Sequence, residues 1–261
     1  IGCFGDFVTD SQIASPTNDT LDDAWYAVDR LGDATNDLAP RGGASYALIS
    51  SGYADDPTDG SLDLPGTNDT WSDPYSSDGY DAYDVVEYTV TLTAPENALG
   101  FAIDYVFMST EYEEFVGSAF NDKFYILLDG EVINYTDCRD PGEYYDFDTD
   151  GGCPLASGFC CYIAINTALS ECCYLDGCDP TGNTDIGGTG YSCSPDSFSD
   201  TTEYGSSTGW LTTTWPVTGG ETFDLTFHIH DTSDSIFDSE VILDNFAWST
   251  TTVTPGTEPA L

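Results

Sequence analysis

Between residues 84 and 135, apolar side chains recur at every second position, the period of a strand with one face on a core. In DVVEYTVTLT (84–93), Val86, Tyr88, Val90 and Leu92 share a face, and in LGFAIDYVFM (99–108), Phe101, Ile103, Tyr105 and Phe107 do. Residues 124–128 and 131–135 flank Asp129-Gly130, a dipeptide suited to a two-residue type I′ hairpin turn. Alternation or a short apolar run predicts further strands at 46–50, 162–166, 210–214, 223–230 and 240–248. Leu21, Trp25, Val28 and Leu31 recur at helical spacing between a capping Thr20 and a stopping Gly32, although a short strand fits the same stretch equally well.

Between these elements lie a long Asp/Gly/Pro/Ser loop (54–84), a Cys/Gly/Asp-rich insertion (138–200) and a Thr/Pro tail (251–261) of linker composition. Many short strands without βαβ alternation predict an all-β fold. The expectation is one β-sandwich of jelly-roll type over residues 1–250, carrying a disulfide-rich insertion and long acidic loops.

Composition adds the surface. The 261 residues carry 47 acids against 4 basic residues, a formal net charge of −43, with 35 Asp to 12 Glu and Lys123 as the single lysine. Hydrophobic content of 40% still supports a real core. Such a charge repels nucleic acid and anionic membrane surfaces, which excludes both as partners. It fits adaptation to high salt or loading with calcium, two explanations that are compatible.

Of nine cysteines, Cys138, Cys153, Cys160, Cys161, Cys172, Cys173, Cys178 and Cys193 cluster, and Cys3 stands apart. Their spacing is irregular and no histidine lies near them, so disulfides in an oxidising compartment are expected rather than zinc, with the pairing open. No stretch is long and apolar enough to span a membrane. The chain begins at Ile1, read here as a mature product whose leader was removed. Asn18, Asn68 and Asn134 stand in Asn-X-Thr sequons, candidate surface glycan sites. Together these readings place the protein outside the cell or on its surface.

Three segments carry a resemblance. FAIDYVFMSTEYEEFVGSAFNDKFYILLDG (101–130) resembles the bacterial choice-of-anchor L surface domain family, in which a strand leads through a Ser-Glu-Glu-Tyr-like turn and Phe-Asn-Asp into an aromatic strand. GASYALISSGYA (43–54) is similar to that family's upstream element, and residues 207–248, ending in Leu-Asp-Asn-Phe-Ala-Trp, to its closing segment. Thr110 departs from the usual acidic residue of the turn, and the Cys-rich insertion is not a general family feature. The resemblance implies an exported domain without an established activity.

Two acidic constellations suit calcium. Asp146, Asp148 and Asp150 with Gly151 form D-x-D-x-D-G, whose alternate carboxylates can wrap one hard cation; a complete EF-hand is excluded because its twelfth position is Ser157. The second comprises Glu111, Glu113, Glu114, Asn121 and Asp122, joined by Asp231, Asp234, Asp238 and Asp244 if the last two strands lie beside them. Crowded carboxylates repel unless a cation or hydrogen bonds compensate. The plainer reading of both is turn capping by Asp and Asn. A glycosidase carboxylate pair is a weak reading in a chain this rich in acids. His228 and His230 share a strand face opposite Phe223, Leu225, Phe227 and Ile229, which predicts two exposed imidazoles rather than a metal pair.

The reading expected is therefore a non-enzymatic, exported structural protein, calcium-stabilised and disulfide-stapled. It would self-associate with identical subunits in a fibre or surface assembly, through Cys3 and the tail. The alternative is a calcium-dependent glycan-binding module or adhesin that meets surface glycans through Trp71, Tyr75, Tyr80 and Tyr83.

Overall fold

A computed structural model describes residues 7–34, 38–54, 64–67, 69–76, 78–111, 115, 118–137, 160–165, 189 and 205–260. Among them the chain is all-β. Its strands are β1 (Val8–Ala14), β2 (Trp25–Val28), β3 (Tyr46–Ser50), β4 (Trp71–Ser72), β5 (Asp81–Thr93), β6 (Gly100–Ser109), β7 (Lys123–Leu128) and β8 (Glu131–Val132). There follow β9 (Thr136–Asp137), β10 (Cys160–Cys161), β11 (Ile163–Ala164), β12 (Ser206–Ser207), β13 (Leu211–Trp215), β14 (Thr222–Thr232), β15 (Ser239–Ser249) and β16 (Gly256–Pro259).

Two antiparallel sheets pack face to face as a β-sandwich. Sheet A runs β1-β5-β14-β7-β11, with β4 beside β5 and β8 beside β7; sheet B runs β16-β13-β6-β15-β3-β2, with β12 beside β6. The chain changes sheet at each step from β5 to β6 to β7, and again from β13 to β14 to β15. That is the crossing pattern of jelly-roll-like sandwiches. The alternating residues meet between the sheets: Val86, Val90 and Leu92 of β5 pack with Phe101, Ile103, Tyr105 and Phe107 of β6 and Phe223, Leu225, Phe227 and Ile229 of β14. Phe101 stacks on Phe223 and Phe246 at 5.9 and 5.3 Å.

Both sheets are also covered outside. Tyr46, Leu48, Val106, Met108 and Ile242 form a cluster on the outer side of sheet B. Tyr125, Leu127, Val132, Tyr135 and Tyr162 form another outside sheet A. This double coverage explains why β6 reads as an almost continuous apolar run.

The hairpin forms as its dipeptide requires: Asp129 (φ 50°) and Gly130 (φ 87°) are both left-handed, and Leu128 faces Glu131 across the turn. The stretch with two readings, 21–31, contains strand β2. Its Trp25 and Ala27 are exposed while Tyr26 and Val28 are half-buried, so the period of two prevails. The tail differs from expectation. Residues 256–259 pair as β16 along β13 of their own chain, with a Thr213–Thr257 hydroxyl contact of 2.7 Å and Ala260 N donating to Trp210 O at 2.8 Å. The tail is thus an edge strand of sheet B, paired on one side with β13, rather than a free linker.

Candidate functional site

At one end of the sandwich the turn after β6 and the start of β7 meet the end of β14 and the start of β15. Thr110 donates from both its amide and its hydroxyl to Asp238 O, at 3.2 and 3.1 Å. The Asp122 carboxylate accepts the Thr232 amide (2.9 Å) on Oδ1 and the Ser239 hydroxyl (2.7 Å) on Oδ2. Thr232 Oγ1 donates to Asn121 O and Ser233 Oγ to Ala119 O, each at 2.9 Å. The rings of Phe115 and Phe237 close the contact at 5.8 Å.

The two acidic stretches therefore converge. Glu111, Asp122, Asp231 and Asp238 all lie buried there, and Asp234, half-buried, lies near enough to act on Glu111. Asp84 of β5 joins them and acts electrostatically on Asp231, a participant that sequence reasoning missed. Asn121 contributes its backbone carbonyl to Thr232 and Lys123. Asp244 is a correction. It sits further along β15, opposite Asp104, where its Oδ2 accepts the Arg41 and Gly42 amides at 2.6 and 2.9 Å. The extra residues between Asp238 and Asp244 carry it out of the cluster along the strand. Glu113, Glu114, Asp146, Asp148 and Asp150 lie outside the described residues.

The electrostatics of this end are unbalanced. Burial, opposed by hydrogen bonds from Ser239 and Thr232, pushes Asp122 up to about 7. Burial and then the Asp122 charge push Glu111 up to about 12, and the two carboxyls share a hydrogen bond. Asp231 is raised well above 3.8 by burial, then by Asp122, Asp238 and Asp84. Its Oδ1 accepts the Ser51 hydroxyl at 2.5 Å, but its Oδ2, like Glu111 Oε2, is buried without a hydrogen-bond partner. A Cβ on Gly52 would fall 1.8 Å from Asp238 Oδ2, so glycine is what admits that carboxylate. Backbone strain gathers here as well: Asp84 (φ 44°), Ser233 (φ 79°) and Phe237 (φ 69°) are left-handed without being glycine.

The donors are carboxylate and hydroxyl oxygens, the set that suits calcium. As placed, no three Asp, Glu, His or Cys side chains among the described residues stand together as a metal cage. The cluster is tied together by the hydrogen bonds from Thr232, Ser239 and Ser51.

On the outer face of sheet A the two histidines correct their expectation. They do point away from the core, but Trp71, Asp73 and Tyr75 lie over them, and both are fully buried. Trp71 lies 5.2 Å and Tyr125 5.5 Å from the His228 ring. A relay runs from Glu87 Oε1 to His228 Nδ1 (3.0 Å), then from His228 Nε2 to His230 Nδ1 (2.8 Å). His230 Nε2 is 3.8 Å from Asp73 Oδ2, which accepts the Tyr125 hydroxyl at 2.7 Å. Burial, then the charges of His228 and Lys123, hold His230 well below 6.5. With each imidazole turned to the other, the pair does not face one metal.

Beside them Lys123, also buried, donates to Asp78 Oδ2 (2.8 Å), Asn121 O (3.0 Å) and Thr232 Oγ1 (3.2 Å). Of the aromatics expected to meet a glycan, Trp71 and Tyr75 are engaged in this cover, Tyr83 is half-buried and Tyr80 is 46% exposed.

Asn134 is a further correction. It is fully buried, its Oδ1 accepting Ile126 N at 2.8 Å and its Nδ2 donating to Phe124 O at 2.9 Å, so its amide is not open to a glycan in the folded chain. Asn18 is exposed and donates to Asp69 at 3.0 Å. Asn68 lies outside the described residues. Cys161 is disulfide-bonded. Cys3, Cys138, Cys153, Cys172, Cys173, Cys178, Cys193 and the side chain of Cys160 lie outside the described residues.

No family model and no curated protein matches the chain. Among solved structures, a β-glucosidase from Kluyveromyces marxianus aligns with 90% of this chain and 20% of that one, at 9% identity and a TM-score of 0.23. A likeness that low carries no argument about fold or activity.

Proposed function

We propose that this chain is a non-enzymatic, calcium-stabilised structural β-sandwich, disulfide-stapled and exported, that builds an extracellular or surface assembly with its own copies. The observation that carries the reading is the acid end. Several carboxylates are buried against one another, Glu111 Oε2 and Asp231 Oδ2 without a hydrogen-bond partner among the described residues, and the cation acting on Glu111 and Asp122 is Lys123 at their margin. Burying like charges is costly unless a proton or a metal ion neutralises them. Asp122, Asp231 and Asp238 would hold calcium, which would supply the missing positive charge and draw them inward. The Cys161 disulfide supports an oxidising location. The motifs shared with choice-of-anchor L domains support the same placement. Calcium bridging between acidic surfaces would let chains of charge −43 approach one another.

Calorimetry and light scattering on one sample test both parts. Adding calcium after chelation should raise Tm by about 4 °C or more, as saturating binding to the folded state does for ~1–3 kcal/mol of linkage. It should also increase particle size. An unchanged Tm removes the metal, and a monomer at every calcium level removes the assembly.

A further inference from the structure

Away from the acid end, a groove of about 380 Å³ opens between β1 and β2, where sheets A and B each end in a strand paired on one side only. It is lined by Gln12 and Ile13 of β1, Trp25 of β2, Ile49 of β3, Tyr88 of β5 and Ser45, with Ile49 buried and Trp25 exposed. Trp25 is 49% exposed, one of the few large apolar side chains left in solvent among the described residues.

We propose that this groove is a binding site for a neutral glycan of one or two sugar rings. Three features of the groove select that occupant. First, none of its lining residues is Asp, Glu, Lys, Arg or His, although the chain carries −43. The surrounding field repels anions, and cations gain more on the carboxylate surface than in an uncharged cleft. An uncharged ligand remains.

Second, the groove joins an indole and a phenol ring to a side-chain amide and hydroxyls. Sugar rings present an apolar C–H face to stack and a polar edge to hydrogen-bond, so this mixture fits them and leaves an alkyl chain's polar surroundings unmatched. The Tyr88 hydroxyl is held by Ser11, while Gln12, exposed, and Ser45, half-buried, bring an amide and a hydroxyl to the groove. Third, the volume lies at the small end of the ~300–1,000 Å³ range of ligand sites.

A second copy is the competing occupant. Calcium can bridge copies only where carboxylates line the contact, and this groove offers none. The inference does not rest on the calcium site. It also places a glycan away from Tyr80 and Trp71, further along the same edge of β5, where β1 rather than β4 pairs with it.

Saturation-transfer NMR on the full chain tests it, with maltose, cellobiose and diacetylchitobiose as neutral probes, a hyaluronan disaccharide as the anionic one and octanol as the alkyl one. At least one neutral disaccharide should bind at about ten millimolar or below, and Trp25→Ala should weaken it about tenfold or more. Tyr80→Ala should leave it unchanged. Trp25 is half-exposed, so its variant should keep the native Tm, which calorimetry checks. Absence of neutral-sugar binding, binding indifferent to Trp25→Ala, preference for the anionic or alkyl probe, or Trp25-dependent self-association would each overturn the proposal.

Discussion

Under the cover of residues 71–76 and 78–80, the buried Lys123 ammonium meets the Asp78 carboxylate, and His228 Nδ1 hydrogen-bonds Glu87. A few residues away, Glu111, Asp122, Asp231 and Asp238 crowd together with Lys123 only at their margin. The same sequence chemistry, acids beside strand ends, gives opposite electrostatics. Burial works to raise Asp78, yet the Lys123 charge and its hydrogen bonds outweigh it and hold that carboxyl below its ordinary value. At the acid end nothing comparable outweighs burial, and Asp122 rises to about 7. The first region pairs its lysine within the chain, although His230 Nε2, 3.8 Å from Asp73 Oδ2, has no hydrogen-bond partner there. The second needs something from solution, a proton or a cation.

The sharpest way to break that contrast is to remove the lysine. Lys123→Met leaves Asp78 with an uncompensated charge and Asn121 O and Thr232 Oγ1 without their donor. It should cost about 3–5 kcal/mol in urea denaturation. A loss below about 1 kcal/mol would mean that the pair behaves as a surface contact.

Gly52→Ala comes next. The added methyl displaces Asp238, and overpacking of this kind costs about 1–3 kcal/mol. The calcium-induced rise in Tm should shrink with it; a full response would separate Asp238 from the cation.

Asp231→Asn should have the reverse sign. In chelator it relieves repulsion and should stabilise by about 1 kcal/mol, while reducing the benefit from calcium. Destabilisation in chelator would show that Asp231 is not crowded by like charge.

The pH profile separates the two regions in one titration. Asp122, Glu111 and Asp231 have folded pKa values above their unfolded ones. Their contribution is fully present below about pH 4 and, for Asp122, is lost as pH rises toward about 7. Asp78 is depressed, so its contribution is present above its ordinary 3.8 and lost on further acidification. His230, also depressed, loses its contribution as pH falls below 6.5, but one imidazole opposes three carboxyls. In chelator, stability should therefore peak in mildly acid solution and decline toward pH 8. With calcium bound the decline should flatten, because the carboxylates must then be ionised. Equal slopes with and without calcium would contradict a metal at this end.

Much of the fold was legible in the chain. Period-two alternation identified the inner faces of β5, β6 and β14, because a face turned to a core leaves its mark on every second residue. What lies over the outer face leaves no such mark. The parity of His228 and His230 was readable, but their burial depends on Trp71, Asp73 and Tyr75 folding back across β14 and β7.

The meeting of the two acidic stretches followed from strand ends that lie close together. Asp84 was missed because it reaches the cluster from β5, far away in sequence, through a left-handed residue that alternation does not register. Asp244 was included because it shares a strand with Asp238, yet a strand rises about 3.3 Å per residue and soon leaves a site behind. Asn134 carried a surface motif, but its amide caps the backbone of β7, which only the hairpin's geometry reveals.

The order of the strands has a kinetic consequence. β14 stands between β5 and β7, and β15 between β6 and β3, so two of the last strands made hold the middle of both sheets. Until the chain is complete to about β15, β5 has β1 and β7 has its hairpin partner β8, but β5, β6 and β7 still lack the long central neighbours that join them into sheets. Such distant pairings place folding in the slow, millisecond-to-second class. The middle of each sheet is therefore the part of the molecule that is filled last as the chain is made.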